Sequence, residues 1–242
     1  MEDIDAIAVL QDPVRRRLYE YVVAQGRDVG RNEAAEAAGV ARTLAAHHLD
    51  RLTGAGLLES GSRRLTGRSG PGAGRPAKVY KRAPGERSVS LPARDYRTAA
   101  ELLAEAAELA GLDAGLCEAA RRRGEALRGA AAPCGSLEEA MATLAARGYE
   151  PHLEGAGGAG SPEGAAVAES SAPVDAVAPA PVLRMRNCPF HAVAERFPPL
   201  VCGMNLALLE GLLGAPGPVR ARMDARPGEC CVVVEPSKNN DH

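Results

Sequence analysis

Six cysteines are the residues of this chain most able to do chemistry: Cys117, Cys134, Cys188, Cys202, Cys230 and Cys231. No two form a Cys-x-x-Cys pair, which argues against a zinc ribbon or zinc finger. Thirteen residues separate Cys188 from Cys202, and 27 separate Cys202 from Cys230. Spacings that long require a folded domain to gather the ligands. Cys188 precedes Pro189 at the start of one predicted helical piece, and Cys202 follows Pro198-Pro199 at the start of the next. Helix N-termini stabilise anions and lower thiol pKa values. Two thiolates prepared in this way suit a soft metal ion or an iron–sulfur cluster. A third ligand is expected from the last strand. There Cys230 shares a face with Val232 and Val234, while Cys231 points to the other, so Cys230 is the expected ligand. For a fourth position His191, Cys231, a non-protein ligand and a small thiol compete; His191 follows Cys188 by three residues, one helical turn. Cys117 and Cys134 read as ordinary buried thiols. Cysteine is among the most buried residue types, but two helix-starting cysteines and a vicinal pair in one small domain exceed what packing needs.

A second set of residues lies near the N-terminus. Arg42, Thr43, His47 and Arg51 share one face of a predicted helix over 42–54, whose other face carries Leu44, Leu49 and Leu52. Arginine can pair with guanine, and Thr and His can contact bases or phosphates. His48 fits either face. Before this helix comes a shorter one over 31–38, ended by Gly39, which suits a tight turn. Two helices joined in this way form a helix-turn-helix, whose second helix enters the major groove of DNA.

The elements that must position these residues follow from caps and periodicity. Asp12 caps a helix with Pro13 in its first turn and Val14, Leu18, Tyr21 and Val22 on its apolar face. Leu57-Leu58-Glu59 is a short strand; a Gly- and Arg-rich loop follows, and Val79-Tyr80 is apolar again. Three helices, then strand, basic loop and strand, is the winged-helix order. Residues 93–128 form a long helical pattern in which Leu102, Leu109 and Leu116 recur every seven residues, a seam suited to dimerisation. Beyond it come a helix over 137–148, strands near 149–153 and 181–186, two helical pieces split at Phe197-Pro198-Pro199, and a hairpin turning at Arg226-Pro227-Gly228. Residues 155–180 are low in complexity and read as a flexible insertion.

Charge divides the chain in the same place. The net charge of −2 conceals +5 over residues 1–100 and −7 over 101–242. Segment 61–97 alone holds ten basic residues against two acidic, the footprint of a nucleic-acid partner. Aromatics are 3 % with no Trp, so the cores must be built from Ala, Leu and Val. No apolar run is long enough to span a membrane, and the acidic N-terminus lacks the basic start of a signal peptide. A cytoplasmic protein is expected, with cysteines in metal or redox chemistry rather than in disulfides. Enzyme signals are poor: there is no nucleophile elbow, P-loop or His-Glu-x-x-His, and GAGGAG at 155–160 has no apolar helix after it.

On these residues two resemblances rest. ARTLAAHHLDRLTGAGLLE followed by GRPAKVYKR, over about residues 10–83, resembles the ArsR/MarR-type winged-helix repressors. The resemblance implies that Arg63, Arg64, Arg68, Arg75 and Lys78, on the wing, contact phosphates or the minor groove. Asn187-Cys188-Pro189-Phe190-His191, then Arg196-Phe197-Pro198-Pro199-Leu200-Val201-Cys202, then a late cysteine on a strand, is similar to the SufR-like iron–sulfur repressors. It departs from them in the low-complexity segment, in Gly203-Met204-Asn205 after Cys202, and in the doubled last cysteine. The resemblance implies a cluster, [4Fe-4S] or [2Fe-2S], on Cys188, Cys202 and Cys230.

The expected protein is therefore α+β, with an N-terminal winged helix-turn-helix over 1–90, a dimerisation helix over 91–130 and a small α+β sensor domain over 131–242. It is expected to be a homodimeric, non-enzymatic transcriptional regulator, a repressor on a double-stranded DNA operator, controlled by assembly, loss or oxidation of an iron–sulfur cluster in its C-terminal domain. The alternatives are regulators sensing a soft metal ion such as zinc, or a small organic ligand.

Overall fold

A computed structural model describes residues 2–63, 76–155 and 180–237. The protein is α+β and divides into two units, Met1–Arg94 and Asp95–His242.

The first unit begins with α1 (Glu2–Ala8) and a short 3-10 turn, Val9–Gln11. Next comes α2 (Pro13–Gln25). Asp12 caps α2 by accepting hydrogen bonds from the backbone N–H groups of Val14 and Arg15 at 2.9 and 3.0 Å. Those bonds, the one from Arg15 foremost, hold the Asp12 carboxyl below its ordinary range although burial opposes the shift. Strand β1 (Val29–Gly30) leads into α3 (Arg31–Ala38), and α4 (Arg42–Gly54) follows. Between α3 and α4, Gly39 takes a left-handed conformation at φ 65°, which a side chain would strain. The N–H groups of Gly39 and Val40 then satisfy the carbonyls of Glu36 and Ala35. Strands β2 (Leu58–Arg63) and β3 (Ala77–Arg82) complete an antiparallel sheet in the order β1-β3-β2. Leu18 and Val22 of α2, Ala34 and Ala35 of α3, Ala45, Leu49 and Leu52 of α4, and Leu58 and Tyr80 of the sheet form one core. The face expected for α4 is corrected at one residue. Leu44 is 42 % exposed, and Ala45, His48, Leu49 and Leu52 point inward. Those four obey the i, i+3, i+4, i+7 spacing of a single helical face, which Leu44 does not share with them.

In the second unit the pattern at 93–128 resolves into two helices rather than one. These are α5 (Tyr96–Leu109) and α6 (Asp113–Arg128), divided at Gly111, whose φ is 63°. Leu116 turns into a cluster with Phe197, Leu200 and Val201, joined by Ala104 and Ala107 of α5. Leu102 and Leu109 stay 61 % and 83 % exposed, so the seven-residue seam is interrupted. Then follow α7 (Leu137–Ala145), β4 (Pro151–Glu154), β5 (Val182–Met185), α8 (His191–Ala194), α9 (Pro198–Leu213), β6 (Val219–Met223) and β7 (Val232–Pro236). The strands form an antiparallel sheet, β4-β5-β7-β6. Helix α9 is apolar nearly all round and is the centre of the unit. One side packs Leu209, Leu212 and Leu213 against Leu183, Met185, Val232 and Val234. Along α6 the contact is backbone to backbone. A Cβ on Gly124 would stand 2.1 Å from the Leu208 carbonyl oxygen, and one on Gly211 would stand 2.2 Å from that of Arg121. Only glycine fits at this crossing. Most of the expected 155–180 insertion, from 156 to 179, lies outside the described residues. Among the described residues no helix is long and apolar enough to cross a membrane.

Candidate functional site

Two surfaces draw on the residues singled out above, one in each unit. In the first, α4 turns Arg42, Thr43, His47 and Arg51 outward, all exposed. Among the described residues neither Arg42 nor Arg51 is engaged in an ion pair. His48 takes the opposite side. It is 9 % exposed, its ring edges against that of His47, and its Nδ1 has no hydrogen-bond partner. Burial lowers its pKa, and the nearby Asp12 only partly offsets this.

The wing residues have different fates. Arg64, Arg68 and Arg75 lie outside the described residues. Arg63 is exposed at the end of β2 and stands 3.5 Å from Asp28. Lys78 is bound to Asp50 of α4 at 2.7 Å. The same carboxylate accepts a hydrogen bond from the buried Tyr80 hydroxyl at 2.7 Å and stands 3.7 Å from Arg31. Arg31 Nε in turn donates to the Tyr80 oxygen at 3.0 Å. Burial works to raise the Asp50 pKa, but the hydrogen bonds from Lys78 and Tyr80 outweigh it, leaving the carboxyl below its ordinary range. Asp50 therefore ties α4 to α3 and β3 and fixes the angle at which the outward face is presented. The sequence reading passed over this residue. The signal for it was a lone carboxylate on an otherwise basic helix face.

The second surface is sulfur-rich. Cys188 lies between β5 and α8, and Cys230 lies in the turn before β7. The neighbouring Cys230 sulfur raises the pKa of Cys188, helped by burial, while Cys188 lowers that of Cys230 against burial. The expected depression falls on Cys230 and not on Cys188, whose thiol is pushed up although the Phe190 backbone N–H beside it works the other way. Cys202 occupies the fifth position of α9, a full turn inside the helix, so it lacks the free N–H groups of a helix N-terminus. Its sulfur is bonded to that of Cys231, with the Cα atoms 6.4 Å apart. This disulfide overturns the expectation that the cysteines stay unpaired. It also overturns the expectation that only one of the vicinal pair turns toward the site. Cys230 and Cys231 precede β7, so strand alternation does not separate them.

His191 is not gathered. Its side chain is 69 % exposed and meets Glu195 at 3.2 Å. Cys134 is buried, with its sulfur 3.8 Å from the Thr143 hydroxyl. Cys117 is half-buried and faces Gly203 of α9.

Three buried groups set the site, and none was singled out from the sequence. Asn205, fully buried and one turn after Cys202 in α9, donates from Nδ2 to the Cys230 sulfur at 3.4 Å. The Tyr149 hydroxyl donates to Asn205 Oδ1 at 2.5 Å. Arg184 on β5 is 2 % exposed. Its guanidinium reaches Glu154 and Asp224, each at 2.7 Å, and stands 3.7 Å from Glu229. Asp224 and Glu229 belong to the turn that delivers Cys230 and Cys231. The backbone fastens the same turn, from Cys230 N to the Met185 carbonyl at 2.9 Å and from Asp224 N to the Cys231 carbonyl at 2.8 Å.

Among the described residues no group of three or more His, Cys, Asp or Glu side chains is arranged to hold a metal ion. The closed Cys202–Cys231 bond leaves two free thiols at the site, Cys188 and Cys230. Opening that bond yields four soft donors from three chain segments, a set whose chemistry suits a soft metal or an iron–sulfur cluster. No protein-family model, no curated protein and no solved structure matches the chain.

Proposed function

We propose that the chain is a DNA-binding transcriptional regulator whose second unit holds an iron–sulfur cluster through Cys188, Cys202 and Cys230. The observation that carries the DNA half is the presentation of α4. Two helices joined at Gly39 stand on a β1-β3-β2 sheet, and the second exposes Arg42, Thr43, His47 and Arg51 together. This arrangement supports a winged helix-turn-helix with α4 as the recognition helix and the β2–β3 hairpin as the wing. Two sulfur pairs that meet at the adjacent Cys230 and Cys231, Cys188 with Cys230 and Cys202 with Cys231, support the cluster, which would supply redox-sensitive iron–thiolate ligation when bound. Cys231 holds Cys202 in the disulfide form, so loading requires that bond to be reduced first. A change at the cysteines would alter DNA binding only through a difference in cluster affinity between two conformations. Homodimerisation is part of the reading. The outward stripe of Ala99, Leu102, Ala106 and Leu109 on α5 supplies an apolar face for a second copy, and sedimentation of Leu102→Glu tests it.

The experiment is selection of bound duplexes from a random library, followed by titration of the selected site at several salt concentrations. Arg42→Ala and Arg51→Ala should each weaken binding by about 1–3 kcal/mol. A contact to phosphate alone lowers the salt slope by about one. Unchanged affinity in the double variant would sink the reading. The same preparation, made anaerobically, is assayed for iron and acid-labile sulfide. Metal without sulfide would favour the second reading, a soft-ion sensor on the same thiols, for which the free Cys188–Cys230 pair speaks.

A further inference from the structure

Asn205 is a costly residue where it stands. It is fully buried on a helix whose neighbouring inward positions are Val201, Ala207 and Leu209. An amide in such a place destabilises the fold unless each of its polar atoms has a partner. Its partners are a tyrosine hydroxyl and a sulfur. The Tyr149 hydroxyl donates to Oδ1 at 2.5 Å, which turns the amide so that Nδ2 faces Cys230, 3.4 Å away. A thiol is a weak acceptor, whereas a thiolate or a metal-bound sulfur is a strong one. Tyr149 and Asn205 come from segments 56 residues apart and are both buried. The hydroxyl–amide–sulfur chain is therefore assembled by the tertiary fold and is not a local turn.

We infer that Asn205, oriented by Tyr149, is a positioning residue for Cys230: it holds the sulfur in place and steadies the negative charge that it carries as a ligand. The inference rests on the reading of Cys230 as a metal ligand. It adds two side chains to the three cysteines, and it gives α9 a double task, since Cys202 and Asn205 lie one turn apart on it. Partners that hydrogen-bond to a ligand typically change metal affinity by about 10–100-fold when removed.

The test uses the full chain, reduced with a phosphine and titrated with Cd²⁺, followed by sulfur-to-cadmium charge-transfer absorption. Asn205→Leu, which keeps the volume and removes the amide, should weaken Cd²⁺ binding about tenfold or more. Tyr149→Phe should act in the same direction with smaller effect, and it carries the test if Asn205→Leu does not fold. Melting temperatures should not fall in parallel with affinity, as they would if Asn205 served packing alone. In a Cys230→Ser background Asn205→Leu should cost nothing further, because the two act through one sulfur. An equal loss in that background, or no loss in either single variant, overturns the inference while leaving Cys230 a ligand. If Cys230→Ser itself leaves Cd²⁺ binding unchanged, the ligand reading falls first and takes the inference with it.

Discussion

The two units bury different things. Among the described residues the first encloses one polar side chain, His48, and turns its arginines outward on α4. The second encloses an arginine and an asparagine, Arg184 and Asn205, both beside the turn that carries Cys230 and Cys231. A buried guanidinium is tolerated only where carboxylates and hydrogen bonds replace its water. Here three carboxylates do so, and two of them belong to the cysteine turn. The contrast is one of placement. In the first unit the charged groups lie on a surface any helix of that phase would present; in the second they lie in an interior that only one packing produces.

Three substitutions would break or sharpen that contrast, each read by urea unfolding with hydrogen exchange followed separately in the two units. The largest effect is expected at the α6–α9 crossing. Gly124→Ala places a methyl group against the Leu208 carbonyl. The helices must separate, at a cost of about 3 kcal/mol or more to the second unit, which overrides the gain of about 1 kcal/mol from helix propensity. Gly115→Ala in the same helix meets open space and should be neutral or stabilising. Equal behaviour of the two variants would show that the close approach is not needed.

Next comes Arg184→Leu. It leaves Glu154, Asp224 and Glu229 without their shared cation. Removing one partner of a buried ion pair costs about 3–5 kcal/mol. The carboxylates here keep some exposure to water, so about 2–3 kcal/mol is expected. Protection should fall first in the 224–231 turn and should be unchanged in the first unit. A loss spread evenly over both units would contradict the local role.

The smallest effect is a pH slope. His48 has a lowered pKa in the folded protein, chiefly through burial. The native state therefore binds fewer protons than the unfolded state just below the ordinary histidine pKa. Stability of the first unit is full above about pH 6.5. It declines as pH falls from there through the folded pKa. His48→Leu should flatten this slope over pH 5–8. His152, also lowered by burial, gives the second unit a slope of the same sign, which His48→Leu should leave untouched. A slope that persists in the first unit of the variant would assign it to other groups.

The helices, strands and turns were largely legible, because the signals for them are local. Asp12-Pro13 marks a helix start, and Gly39 fits the left-handed turn before α4. The break between α5 and α6 was also written in the chain, as Gly111 two residues before Asp113, but the recurrence of Leu102, Leu109 and Leu116 spoke louder than one glycine. Leu44 was misplaced for a similar reason. Residue type suggested an inward leucine, whereas the helical phase set by Leu49 and Leu52 calls for Ala45 and His48. The pairing of the cysteines was not legible. Cys202 and Cys231 meet across 29 residues of chain, through the placement of α9 against the hairpin. The burial of Asn205 and Arg184 was not legible in the sequence, since residues of both types are ordinarily exposed. Only the fold reveals that these two are not.

The glycine crossing has a mechanical consequence. Helices normally meet through interdigitated side chains, a layer that can shear by changing rotamers. At Gly124 and Gly211 that layer is missing, and main chain bears directly on main chain. Toward the other end of the pair, Cys117 rests against Gly203, beside Cys202. A main-chain contact at one end and a side-chain contact at the other fix the tilt of α6 on α9 as well as their separation. Sliding α9 along α6 at that crossing would drive main chain into main chain, which no change of rotamer relieves.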